Sequence, residues 1–314
     1  MSDGHRILRC DAPVFAIEPS GVNTDDINAR LVSRFGVEAE AWLTDVPTLA
    51  ARLAAQWGMV LGELFGSGAS SVVLRCVWPD GTPAVLKLSP DRELVTAQVE
   101  MHRIFAASGR VPVVLAADAD AGAMVLEEIR PGTLAEDMPR SSLPEQWGEL
   151  LAALHAVPPP AGWPRDLRGR CEEAFARIGR RLAEPVIGGR IDQRTWQRAI
   201  QRCEKLLGTQ GNPVLLHGDL HLGNVLDGGP GRGLIAIDPK ACVGDPCFDA
   251  VDYVLAGAGE EGVAARCHRV AVACGLDEGR LSAWSRVIAP MSVIAHLTYG
   301  GPEAVIDELL ALTR

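Results

Sequence analysis

No stretch of eighteen or more apolar residues occurs in the 314-residue chain, which excludes a transmembrane helix. The opening residues, Met1-Ser2-Asp3-Gly4-His5, lack a basic region followed by an apolar run, so no secretory signal is expected. Nor is there a Cys-x-x-Cys pair. The eight cysteines are scattered and read as reduced, mostly buried thiols. Cys242 and Cys247 are close enough to pair or share a metal, but no second close ligand pair supports a metal site. These absences together point to the cytoplasm. Basic charge is also scarce, with 30 Lys and Arg against 40 Asp and Glu. A net charge of −10 argues against nucleic acid or an anionic membrane as partner and fits a cationic small molecule better than an anionic one.

What is there is the composition of a soluble globular protein, 47% hydrophobic and 22% charged, at a length that suits two lobes. Residues 1–58 read mainly as helix, with Leu49, Leu53 and Trp57 at helical spacing. From Val60 the period changes. Val60–Phe65, Ser71–Trp78 and Ala84–Leu88 are short β-rich runs separated by Gly-rich and Pro-Asp-Gly turns, the pattern of an antiparallel meander. A helix over Pro90–Ala107 and strands at Val113–Ala117 and Ala123–Ile129 complete a lobe over residues 59–130. After Pro131-Gly132 the chain is mostly helical to residue 314. Ser142–Val157, Asp166–Leu182 and Asp192–Leu207 are amphipathic, a β-like interlude runs from Val214 to Ile237, and three helices are expected to close the chain. This order predicts an α+β, bilobal architecture, with a small antiparallel lobe, a larger helical lobe and a ligand cleft between them.

The strongest chemical signal is Val214-Leu215-Leu216-His217-Gly218-Asp219-Leu220-His221-Leu222-Gly223-Asn224-Val225-Leu226, a polar loop between two apolar runs. An Asp followed five residues later by an Asn suits phosphoryl transfer: the carboxylate takes the proton of an attacking hydroxyl, and the amide oxygen ligates a metal beside a triphosphate. Leu234-Ile235-Ala236-Ile237 then leads into Asp238, an isolated carboxylate at a strand end and a candidate Mg²⁺ ligand. His217 and His221 are four apart, but Gly218 makes a helical zinc pair implausible, and His217 is expected to brace the loop.

These segments resemble the aminoglycoside phosphotransferase family, and within it the branch of streptomycin 6-kinases and hydroxyurea phosphotransferases. The resemblance rests on His217-Gly218-Asp219…Asn224, Ile237-Asp238-Pro239-Lys240, Gly244-Asp245-Pro246-Cys247-Phe248-Asp249, Ala84-Val85-Leu86-Lys87-Leu88 and Leu126-Glu127-Glu128-Ile129-Arg130-Pro131-Gly132, and spans roughly residues 40–310. It implies a protein-kinase-like fold, a catalytic Asp219 and metal ligands Asn224 and Asp238. Pro239 stands where protein kinases carry Phe-Gly, which speaks against a protein-kinase-style switch there.

Lys87, ending an apolar strand, is placed to reach the α- and β-phosphates of ATP or GTP. Its ion-pair partner should come from the next helix, where Glu93 and Glu100 qualify and Glu100, deeper in the helix, is favoured. The turn Gly66-Ser67-Gly68 can bring backbone N–H groups to phosphate oxygens. The Glu127 carbonyl and the Ile129 N–H should bind the base edge, a main-chain contact that cannot separate ATP from GTP. Asp245 before Pro246 has the pattern of a helix cap, a role that suits it at least as well as a substrate contact, and Asp249 reads as a residue holding the loop. Asp252 could face an acceptor, as could the acidic cluster Glu303, Asp307 and Glu308, although an exposed acidic helix face also explains the cluster. The activity expected is transfer of the γ-phosphate of Mg²⁺-bound ATP or GTP to a hydroxyl of an aminoglycoside, with hydroxyurea or another metabolite as the rival acceptor. A nucleotide-binding pseudokinase is the rival of another class, and Lys87, Asp219, Asn224 and Asp238 together argue against it.

Overall fold

The computed structural model describes residues 24–65, 70–139 and 142–314. The chain forms two compact units. One runs through Val99 and includes Val114–Glu128; the other comprises Glu100–Val113 and Ile129–Arg314.

The first unit is built on a five-stranded antiparallel sheet of β1 (Val60–Leu64), β2 (Val72–Val77), β3 (Pro83–Leu88), β4 (Val114–Asp118) and β5 (Ala123–Glu127), in the order β1-β2-β3-β5-β4. The first three strands form the expected meander. Helix α3 (Arg92–Phe105) then carries the chain to the edge strand β4, and β5 returns between β4 and β3. Alternate residues of the strands face opposite sides. Leu74, Leu86, Leu88 and Val125 pack with Leu31, Val46, Ala50 and Leu53 of helices α1 (Thr24–Phe35) and α2 (Glu38–Trp57). On the other side Met124 and Leu126 meet Val95 and Val99 of α3.

The second unit contains α4 (Leu143–His155), α5 (Leu167–Gly179), the short α6 (Pro185–Gly188) and α7 (Gln193–Leu207). Two small hairpins follow: β6 (Val214–Leu216) pairs with β9 (Cys242–Gly244), and β7 (Val225–Asp227) with β8 (Leu234–Ala236). The β-like interlude therefore extends past Ile237 to a strand that its three residues did not announce. The five-residue α8 (Val251–Leu255) precedes the three long closing helices α9 (Val263–Cys274), α10 (Glu278–Tyr299) and α11 (Glu303–Leu312). Trp147, Tyr253 and Trp284 are fully buried here, with the Trp147 and Tyr253 rings stacked at 4.5 Å. The seven cysteines among the described residues are free, and burial pushes the Cys242 and Cys247 thiols up to about 12. No described helix is long and apolar enough to cross a membrane.

Candidate active site

The β6 strand ends in a loop whose shape is fixed by one buried carboxylate. Asp249 Oδ2 accepts the His217 N–H at 2.7 Å, and Oδ1 accepts the Gly218 N–H at 2.8 Å. His155 Nε2 of α4 approaches the same carboxylate at 3.1 Å. Burial alone would raise the pKa of Asp249, but the hydrogen bonds from His155 and the loop amides hold it below the usual carboxylate range. Gly218 has φ 78°, and a Cβ there would overlap the Lys240 carbonyl oxygen, so glycine is required. His217 is fully buried and kept neutral by that burial. Its Nε2–H therefore donates to the Ile237 carbonyl at 3.0 Å, and its own carbonyl accepts the Lys240 N–H at 2.8 Å. The loop and the segment after β8 are thus joined side by side.

Asp219, at the head of this loop, is gripped by two cations. Arg170 of α5 donates through Nη2 to Oδ1 at 3.0 Å and through Nε to the Gly218 carbonyl at 3.1 Å. Lys240 Nζ lies 2.7 Å from Oδ2. Burial raises the Asp219 pKa, but Lys240 and Arg170 outweigh it and keep the carboxylate ionised below its ordinary range. Arg170 can reach the loop because α5 docks tightly on β9: a Cβ on Gly244 would overlap the Leu167 side chain.

Asn224 closes the loop through Nδ2, which donates to the Asp219 carbonyl at 2.9 Å. Its backbone carbonyl accepts the Ile237 N–H at 2.9 Å, so the β7–β8 hairpin sets Asn224 beside Asp238. Asp238 has φ 57°, the sole non-glycine residue among those described with positive φ. Aspartate tolerates this left-handed conformation better than most residues, at a cost of about 1–3 kcal/mol that is typically retained at functional sites.

Asp252 of α8 belongs to the same electrostatic neighbourhood. Burial raises its pKa to about 6, with the Asp219 and Asp249 carboxylates adding to the rise and His221 and Arg170 opposing it. The C-terminal acidic residues are engaged elsewhere in the same unit. Glu303 and Asp307 pair with Arg190 at 2.5 and 3.0 Å, and Glu308 accepts the Gly259 and Val263 N–H groups at 2.8 and 2.6 Å at the start of α9. Asp245 caps the turn after β9 through the Cys247 N–H at 3.0 Å and is bound by Arg280 and by Trp284 Nε1. His221 caps the turn before β7, its Nδ1 accepting the Gly223 N–H at 3.2 Å.

In the first unit Lys87 is buried, 5% exposed, near the end of β3, and Glu93 on α3 is exposed; Glu100, also exposed, belongs to the second unit. Glu127 ends β5 and Ile129 begins the next segment of the second unit. The turn Gly66-Ser67-Gly68 lies outside the described residues. Sequence reasoning missed the roles of Arg170 and Lys240.

Comparison with known proteins gives the same picture. The sequence profile of the phosphotransferase enzyme family matches residues 62–284. A streptomycin 6-kinase of Streptomyces griseus is 33% identical over 265 residues, covering 80% of this chain and 82% of the relative. A hydroxyurea phosphotransferase of Kitasatospora aureofaciens is 33% identical over 275 residues, covering 83% and 77% respectively. Among solved structures, the GDP complex of aminoglycoside 2'-phosphotransferase-IIIa shares the fold with a TM-score of 0.55 at 17% identity, over 84% of this chain and 95% of that one. With an Asp219–Asn224 loop and a neighbouring Asp238 set in this fold, the chain belongs to the phosphotransferase enzyme family.

Proposed function

We propose that the protein transfers the γ-phosphate of Mg²⁺-bound ATP or GTP to a hydroxyl of an aminoglycoside, with streptomycin as the acceptor. The observation that carries this reading is Asp219: a carboxylate kept ionised by Arg170 and Lys240, at the tip of a loop fixed by Asp249. In the reaction the acceptor oxygen attacks phosphorus, the bond from phosphorus to the leaving diphosphate breaks, and the hydroxyl proton passes to Asp219. Lys240, half-exposed, is the cation of the pair that can give way when the hydroxyl arrives, while Arg170 continues to hold Oδ1. Lys87 supplies a cation to the α- and β-phosphates, and the main chain of Glu127 and Ile129 reads the base.

The donor set suits Mg²⁺. Asn224 spends its Nδ2 on Asp219, which leaves Oδ1 for a cation, and Asp238 adds a carboxylate from the neighbouring position. Among the described residues no group of three or more His, Cys, Asp or Glu is arranged so that it could hold a metal ion. Two oxygen ligands, completed by phosphates and water, is how Mg²⁺ is commonly held beside a nucleotide. When bound, the ion would neutralise charge on the phosphate oxygens.

Streptomycin carries guanidinium groups, and Asp252, whose charge is felt by Asp219, is the carboxylate assigned to them in this reading. The relative named for hydroxyurea supports a second reading, phosphorylation of that small neutral molecule. The deciding experiment is a coupled ATP and GTP turnover assay across streptomycin, other aminoglycosides and hydroxyurea. Turnover confined to hydroxyurea would remove the aminoglycoside reading.

A further inference from the structure

Helix α3 buries a stripe on one side: Val95, Gln98, Val99 and His102 follow the i, i+3, i+4, i+7 spacing and are all less than a tenth exposed. Gln98 is 4% exposed, and its Oε1 has no hydrogen-bond partner among the described residues. An unsatisfied buried acceptor is rare and calls for an explanation. The sheet register supplies one. Lys87 on β3 lies directly opposite Met124 on β5, and Val85 opposite Leu126. Residues directly opposite one another in an antiparallel pair project from the same face. Met124 and Leu126 pack against Val95 and Val99 of α3, so Lys87 projects into the layer between sheet and helix that receives Gln98. Glu93 and Glu100 lie off this stripe and are exposed.

We propose that Gln98, not Glu100, is the α3 residue that positions Lys87, accepting a hydrogen bond from its ammonium through Oε1 when nucleotide is bound. The proposal rests on the reading of Lys87 as a phosphate-binding cation. A neutral amide orients the ammonium without cancelling its charge, so the full positive charge stays available to the phosphates. A carboxylate in the same place would share that charge with the nucleotide.

The test is calorimetric titration of the full chain with MgATP in the absence of acceptor, which makes the result independent of the acceptor's identity. Gln98→Leu should weaken nucleotide binding about tenfold, the loss expected for a hydrogen bond to a charged group. It should at the same time leave the melting temperature unchanged or raised, because an unsatisfied acceptor has been removed. A merely structural glutamine would lower both. Gln98→Glu, which keeps an oxygen in place, should restore affinity to within about threefold of the parent. In a Lys87→Met background Gln98→Leu should add nothing, as expected for residues that act through one another. If Lys87→Met leaves nucleotide affinity intact, the phosphate-binding reading of Lys87 fails first. If Lys87→Met weakens binding while Gln98→Leu does not, or if Glu100→Gln weakens it instead, the assignment to Gln98 is overturned and that reading of Lys87 survives.

Discussion

Lys240 Nζ and Asp219 Oδ2 are 2.7 Å apart, and the same carboxylate is held on its other oxygen by Arg170. Two cations on one carboxylate stabilise its charged form, so proton acceptance by Asp219 should fail only at low pH. Replacing one cation should move that failure. Lys240→Met should shift the acidic limb of the kcat/KM profile to higher pH, because the pKa of Asp219 rises when a neighbouring positive charge is removed. An unshifted limb would show that Asp219 is not the titrating base.

Asp219→Asn should keep the fold and nucleotide binding and lose about 10²–10⁴-fold in turnover, the usual contribution of a positioned acid–base group. Turnover and nucleotide titration on the same preparation separate the two. Near-parental kcat would take the proton-accepting role away from Asp219.

Asp238→Ala should abolish productive Mg²⁺ use, since a methyl group cannot replace a hard oxygen ligand. It should also relax nothing useful in the backbone, because alanine is less at ease than aspartate at φ 57°. Asp238→Asn separates the two effects: it tolerates the conformation and loses the charge. An activity titration against Mg²⁺ is the measurement, and an unchanged midpoint in Asp238→Asn would place the metal elsewhere.

Asp252→Asn should raise KM for a cationic acceptor about tenfold and spare KM for nucleotide, in line with the loss of a charge-assisted hydrogen bond. Neutralising Glu303 or Asp307 should instead affect their pairing with Arg190. If the acceptor KM follows Glu303 or Asp307 and ignores Asp252, the acceptor lies at the C-terminal helix.

Two groups, the buried His217 and the partly buried Asp252, should give stability a pH dependence of opposite sign. The folded-state pKa of His217 is lowered, so its contribution is complete above the unfolded value of about 6.5 and is lost as pH falls below it. The folded-state pKa of Asp252 is raised from 3.8 to about 6, so its ionisation costs stability as pH rises across that interval. Asp252→Asn should therefore melt higher than the parent near neutral pH and lose that advantage near pH 4. Equal melting temperatures at both pH values would show that burial of Asp252 carries no such cost.

Much of this site was readable in the sequence because its parts are local. Asp219 and Asn224 sit in one loop, and Asp238 follows a short apolar run, so apolar-polar-apolar punctuation marks them. Asp245 before Pro246 announced its cap in the same way. Arg170 did not, because it lies 49 residues before Asp219 on a helix whose spacing reads as ordinary amphipathic surface. Only the docking of α5 on β9 brings it to the loop, and β9 is three residues with no alternation to betray a strand. On α3 charge and periodicity point to different residues: Glu100 has the expected chemistry and is exposed, whereas helical periodicity buries Gln98. Counting acidic residues near the C-terminus likewise could not foresee that Glu308 would be taken up by the backbone of α9.

Loops ordinarily exchange their amide protons early, through small openings that leave the rest of a protein intact. The Asp249 carboxylate denies that route to the loop carrying Asp219. The amides of His217 and Gly218 are bonded to a buried side chain anchored beyond β9, so releasing them means separating that segment from the loop. Their hydrogen exchange should accordingly be as slow as that of the buried helices, and the loop that carries Asp219 should be one of the last in the chain to open.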